Sequence, residues 1–200
     1  FYLAPDLNLK LLATFDCDQL LTTIEPQGRW FCVAYTHRQS NLPHLEIYQL
    51  GQGEKKSPLK LQKPWQSLIA LDRQHYLGIY PIQSQNTEFC LFDRRGNWLG
   101  NFTVEILLDS IVHNALFPDR LLATEIANPD EVVLITLKQF SLRRIKLGFT
   151  PHCIVACPQG YLISDRQGQL ILLDHDGYCL GEFRLLLTAD STITAIAVAN

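Results

Sequence analysis

Residues 152–157 read HCIVAC and place one histidine and two cysteines within a single short run. His152, Cys153 and Cys157 are the residue types that hold a soft metal such as zinc. The spacing argues against it. In an extended strand Cys153 and Cys157 share a face but stand about 13 Å apart, too far for one ion without a sharp bend. Both are read as small buried hydrophobes. DHDG at 174–177 offers two carboxylates, but a calcium loop needs oxygen ligands at more alternating positions. An Asp-Gly turn is the reading there. The remaining histidines, 37, 44, 75, 113 and 175, form no HExxH or HxxxH pair. His37, Asp72 and a serine can be drawn as a triad, yet no G-x-S-x-G elbow accompanies them. No phosphate-binding glycine loop occurs. The sequence therefore points to no catalytic residue, no resident metal and no cofactor.

Charge narrows the partners. Seventeen Lys and Arg against twenty Asp and Glu give a net charge of −3, with no general field for nucleic acid or anionic lipid. Lys55, Lys56, Lys60 and Lys63 lie around one connection, and Arg143, Arg144 and Lys146 on one run, without interleaved aromatics. They read as a solvated rim and a charge-protected edge strand. No apolar run approaches the roughly 18 residues of a membrane helix, and no secretory leader is seen. The six cysteines sit mostly inside apolar runs such as WFCVAY and EFCLFD. A chain of this length needs no disulfide staples, so a reducing, cytoplasmic setting is expected.

The elements that position these residues follow from an internal repeat. Pro-Gln-Gly at 26–28 recurs 132 residues later at 158–160, each time before an apolar run that opens with or near an aromatic. Between these anchors stand LIALDRQHYLGIY (68–80) and HNALFPDRLLATEI (113–126). Each is an apolar strand, a polar turn and a second strand, with turns beginning at Glu25, Asp72, Pro118 and Pro158. A third strand follows each hairpin: HLEIYQL, EFCLFDR, EVVLITL and QLILLDH. A fourth, more mixed strand comes next: SPLKLQ, WLGNFTV, SLRRIKL and CLGEFRL. Runs of this composition, bounded by Gly, Pro, Asn and Asp, are strand signals. The window 103–117 fits a helix about as well as two strand ends around Asp109-Ser110, and the repeat decides for strands. Expected strand centres are 31–35, 45–49, 76–80, 89–92, 121–125, 132–136, 161–164 and 170–173.

Four strands at a period of roughly 40–46 residues resemble a β-propeller blade, as in WD-repeat-like bacterial propellers. The Gly-His and Trp-Asp dipeptides of WD repeats are absent. DRRGNWLG (93–100) and DHDGYCLG (174–181) match one another and look like the hairpin before an outer strand. DRRGNW also resembles the Asp-box turn of sialidase propellers, without its leading serine and its spacing, so no glycosidase activity is implied. The expected architecture is all-β: an arc of about four four-stranded antiparallel blades from a larger propeller. The blade-like units are 20–64, 65–106, 107–148 and 149–188. Residues 1–19 and 189–200 belong to flanking blades, with an outer strand near 7–14 and an inner strand over 192–199. Beginning at Phe1 and lacking Met, the chain reads as a piece of a longer protein.

Such a scaffold implies a non-enzymatic interaction or sensor module that binds a protein or peptide, besides the rest of its own propeller. The alternative is a propeller enzyme or a small-ligand or sugar binder, with a central site completed by further blades. The turns around Gly28, Gly96, Gly160 and Gly177 are tight and alike, whereas the loops at the opposite ends of the strands vary. Variable loops on a rigid scaffold carry recognition. The expected partner-binding residues are Trp65, as an anchor, with Arg38, His44, Asn86 and His152.

Overall fold

Short runs rich in Val, Ile, Leu and aromatics, interrupted by turn formers, fold here as strands throughout. The computed structural model describes residues 14–25, 27–49, 61, 64–82, 85–188 and 191–198 in full, and 2–3, 9–10 and 59–60 as strand backbone. Among the described residues there is no helix, hence none long and apolar enough to cross a membrane. A minimal pair, β1 (Tyr2–Leu3) and β2 (Leu9–Lys10), precedes four sheets of four strands. The first sheet holds β3 (Cys17–Ile24), β4 (Trp30–His37), β5 (Pro43–Gln49) and β6 (Leu59–Lys60). The second holds β7 (Ser67–Ala70), β8 (His75–Ile82), β9 (Asn86–Asp93) and β10 (Trp98–Val104). The third holds β11 (Leu108–His113), β12 (Arg120–Glu125), β13 (Glu131–Thr136) and β14 (Ser141–Lys146). The fourth holds β15 (Cys153–Cys157), β16 (Gly160–Ser164), β17 (Gln169–Asp174) and β18 (Cys179–Arg184). Within each sheet the strands lie side by side in chain order.

The hairpins are held by one recurring device. Asp93 accepts the N–H groups of Arg95 and Asn97 on Oδ1, both at 2.8 Å, while Gly96 N–H bonds the Asp93 carbonyl. Asp174 does the same for Asp176 and Tyr178, and Gly177 N–H bonds its carbonyl. Gly96 (φ +83°) and Gly177 (φ +81°) supply the left-handed residue. The two matching hairpins of the sequence are thus one structure. Asp165 Oδ1 likewise accepts the N–H groups of Gln167 and Gln169 in the β16–β17 turn, at the end of the strands where variable loops were expected. The device therefore marks tightness of turn rather than one end of the sheets.

The chain divides into two compact units. Unit 1 is Phe1–Gln83 with Thr87–Thr103, and unit 2 is Ser84–Asn86 with Val104–Asn200. In unit 1 the first and second sheets bury Cys32, Ala34, Leu45 and Ile47 against Trp65, Tyr76 and Phe92. In unit 2 the third and fourth bury Leu122, Val132 and Leu134 against Tyr161, Ile163 and Leu173. Each fully buried side chain of this size stabilises by about 1.5–3 kcal/mol over its exposed state. Polar clasps join the sheets inside each unit. Ala70 N–H donates to Thr23 Oγ1 (3.1 Å), and the Asn114 amide donates to the carbonyls of Cys157 (3.0 Å) and Gly160 (2.9 Å).

Two expectations concern the ends of the chain. Residues 191–198 are in no strand. Ile193 N–H bonds the Arg166 carbonyl and Thr194 O accepts from Cys153 Sγ, so this run lies beside the fourth sheet without joining its ladder. An inner strand pairs with the second strand of its own sheet, and none is described for it. In the stretch 7–14, only Leu9–Lys10 is strand, paired with β1; residues 7, 8 and 11–13 lie outside the described residues.

Candidate functional site

In the third sheet the pairing of β11 with β12 slips by one residue. Leu108 faces Glu125 and Ile111 faces Ala123, so Asp109 and Ser110 together oppose Thr124. This is a β-bulge, which re-aims the side chains it carries. Both are exposed. Together with Thr124, Glu125, Ile126, Pro129 and the β14–β15 connection (Thr150, Pro151, His152) they line a cleft of about 410 Å³.

The charges around this cleft are unevenly spent. Glu125 is 5% exposed and accepts from Arg144 Nε (2.7 Å) and Nη2 (3.2 Å). The Arg144 bonds hold its carboxyl below the usual glutamate range, outweighing its burial. Lys146 pairs with Asp130 at 3.6 Å, and Arg143 lies over the Tyr178 ring at 4.4 Å. The basic run of β14 is thereby committed to neighbours inside unit 2. His152 Nδ1 accepts from Arg166 Nε at 3.3 Å, an arrangement in which the ring proton sits on Nε2 as a donor. Asp109 has no ion pair or hydrogen bond of its side chain among the described residues.

Unit 1 contains the same backbone construction. Cys17 faces His37 and Leu20 faces Tyr35, so Asp18 and Gln19 together oppose Thr36. The residue after each second strand closes the bulge alike: Arg38 N–H bonds the Asp16 carbonyl, and Ile126 N–H bonds the Leu107 carbonyl. The side chains differ. Arg38 donates from Nε (3.0 Å) and Nη2 (2.6 Å) to Asp18 Oδ1 and lies 3.6 Å from Asp16. Its counterpart in unit 2 is an exposed isoleucine.

Of the sequence-chosen residues, Arg38, His44 and Trp65 belong to unit 1, and Asn86 and His152 to unit 2. Trp65 is 6% exposed, stacked on Phe92 with centroids 5.3 Å apart, and its indole covers Gly78, where any Cβ would overlap the ring. It supports the core of unit 1 and does not project as an anchor. His44 stacks on Tyr35 at 5.6 Å, and its Nδ1 is buried with no hydrogen bond among the described residues. Beside it Glu46 is buried, accepting from both Tyr35 and Tyr48, whose hydroxyl pKa values are raised chiefly by burial. Arg38 is occupied by Asp18. Asn86, half-buried, opens β9. Only His152 lines the cleft. Lys55, Lys56 and Lys63 lie outside the described residues. Among the described residues no group of three or more His, Cys, Asp or Glu could hold a metal.

No protein-family model and no curated protein matches the chain. Solved structures do. The chain is similar to Kuenenia stuttgartiensis hydrazine synthase, with a TM-score of 0.56 and 17% identity over 78% of this chain and 52% of that one. It is similar to the WD40 domain of Neurospora crassa Pan2, with a TM-score of 0.53 and 8% identity over 82% and 49%. It is also similar to apo AztD from Citrobacter koseri, with a TM-score of 0.57 and 11% identity over 84% and 47%. The fold is that of a β-propeller. The chain spans about half the length of each of these structures.

The four sheets are therefore blades, and β3 and β11 are inner strands of two of them. Asp109, Ser110 and Glu125 were not singled out by sequence reasoning as binding residues. The available signal was the polar doublet Asp109-Ser110 interrupting an otherwise apolar run, LLDSIV. A doublet in an inner strand is a bulge signature, but one sequence cannot separate it from a loop end.

Proposed function

We propose that this chain is a non-enzymatic β-propeller interaction module that binds a protein or peptide through the unit 2 cleft. The observation that carries this reading is the unsatisfied Asp109 carboxylate, presented by a bulge in an open cleft of about 410 Å³ beside hydroxyl and imidazole donors. Such a mixture suits a polar main chain and its side chains. The near-neutral charge and the committed β14 cations favour a polypeptide over nucleic acid or a membrane surface. All six cysteines are free, in keeping with a reducing, cytoplasmic setting. A small polar ligand or a sugar is the second reading, favoured by a cavity volume inside the usual small-molecule range. An enzyme site would need groups from further blades.

The test is a fluorescence-polarisation screen of the whole chain against short peptides of varied charge. Binding should appear for a subset and fall at least about tenfold when Thr150→Trp fills the cleft, with the melting temperature as a control. Binding unaffected by Thr150→Trp, or no binding by any peptide, would overturn the reading.

A further inference from the structure

Unit 1 supplies its own answer to a bulge carboxylate, and unit 2 leaves the same position unanswered. The equivalence is fixed by two backbone observations. Each inner strand opposes two residues, Asp18-Gln19 or Asp109-Ser110, to one threonine, Thr36 or Thr124. Each bulge is closed by an N–H from the residue after the second strand, Arg38 or Ile126. In unit 1 that residue turns its guanidinium onto Asp18 through two nitrogens. In unit 2 the residue is apolar and exposed, and Asp109 stands open on the cleft.

We infer that the unit 2 cleft takes an arginine side chain from a partner peptide, its guanidinium lying on Asp109 as that of Arg38 lies on Asp18. This rests on the cleft being a peptide site. The one other carboxylate lining the cleft leaves the role to Asp109. Glu125 is already held by Arg144 through two nitrogens; of the carboxylates near it, Glu131 lies 3.9 Å from the same guanidinium and Asp130 pairs with Lys146. A guanidinium matches a carboxylate with two parallel charge-assisted donors, which an ammonium cannot do. Ser110 and the Nε2–H of His152 remain for the carbonyls flanking the arginine. Ile126 offers an apolar wall for the arginine's methylene stem.

The experiment titrates the whole chain with four probes: a blocked Gly-Ser-Arg-Ser-Gly peptide, its lysine and citrulline versions, and methylguanidine. Amide chemical shifts locate binding, and calorimetry measures it. The arginine peptide should shift the amides of 109–110, 124–126 and 150–152. It should bind at least about tenfold tighter than the citrulline peptide, the ratio expected for one charge-assisted pair. Asp109→Asn should remove that preference. Ile126→Arg, which installs the unit 1 arrangement, should abolish arginine-peptide binding without lowering the melting temperature. Equal affinity for arginine and citrulline peptides, or an unchanged preference in Asp109→Asn, would overturn the inference. So would methylguanidine binding as tightly as the peptide, which would make the ligand a small cation. If other peptides still bind in a Thr150→Trp-sensitive way, the peptide-binding reading survives while the arginine inference falls. If no peptide binds, both fall.

Discussion

Units 1 and 2 are each two blades with an inner-strand bulge in the first, and they spend their polar groups differently. Unit 1 neutralises its bulge with Arg38 and buries a Tyr-Glu-Tyr cluster behind it. Its blades meet through Arg94 over the Trp30 ring at 5.6 Å. Unit 2 leaves Asp109 open, and its blades also meet through stacking and polar contacts. Phe117 stacks on His175 at 4.1 Å, Arg120 reaches Asp176 at 3.2 Å, and Arg143 donates to the Asp176 carbonyl at 2.8 Å. The same backbone thus serves closure in one unit and presentation in the other. An open charged group can stand on a rigid frame when blade contacts elsewhere hold that frame.

The largest effect should come from Trp65→Ala. Removing a buried indole stacked on Phe92 and covering Gly78 should cost about 3–5 kcal/mol, read as a lowered denaturation midpoint. Peptide affinity of the unit 2 cleft should be unchanged. Loss of affinity without loss of stability would place Trp65 in the site and dissolve the division of labour between the units. Next in size is Asn114→Ala, which strands the carbonyls of Cys157 and Gly160 and should cost about 2 kcal/mol. Its unit 1 counterpart, Thr23→Val, removes one bond to Ala70 N–H and should cost about 1 kcal/mol by the same chemical denaturation. Equal costs would show that the clasp is no stronger in unit 2. The smallest effect should come from Arg38→Ile. An exposed ion pair adds little stability, so the melting temperature should hardly move. Asp18 then becomes open like Asp109, and calorimetry with the arginine peptide should show a second, weaker site. A stoichiometry that stays at one would mean the bulge alone does not make a site.

Much of the fold was legible because blade construction writes itself into composition. The eight expected strand centres all fall inside strands, each the second or third of its sheet, since strands in the middle of a sheet are apolar runs here and their turns are rich in Asp, Gly or Pro. The pairing of DRRGNW with DHDG was readable for the same reason: Asp93 and Asp174 cap equivalent turns. The site was much less legible. A tryptophan after a proline in a connection looks like an exposed anchor, and only the neighbouring strand shows that Gly78 was vacated to receive it. Whether a carboxylate is open or answered depends on a residue 20 positions away for Asp18 and 17 for Asp109, across a hairpin whose register a bulge has shifted. Composition does not carry that register. Residues 191–198 are in no strand for a related reason: apolar content marks where a strand could form, while pairing needs a neighbour.

Because each sheet takes its four strands consecutively from the chain and borrows none from another, the molecule is divisible at the connections between sheets. A gene carrying such a chain can gain or lose one blade by duplicating or deleting a single continuous segment, and every remaining ladder keeps its register. What such an event disturbs is confined to side chains at the new junction, where an Asn114-type clasp must find carbonyls to hold and an apolar face must find its complement. Lineages of such proteins can therefore change size in steps of one blade, while the rules inside each blade stay fixed.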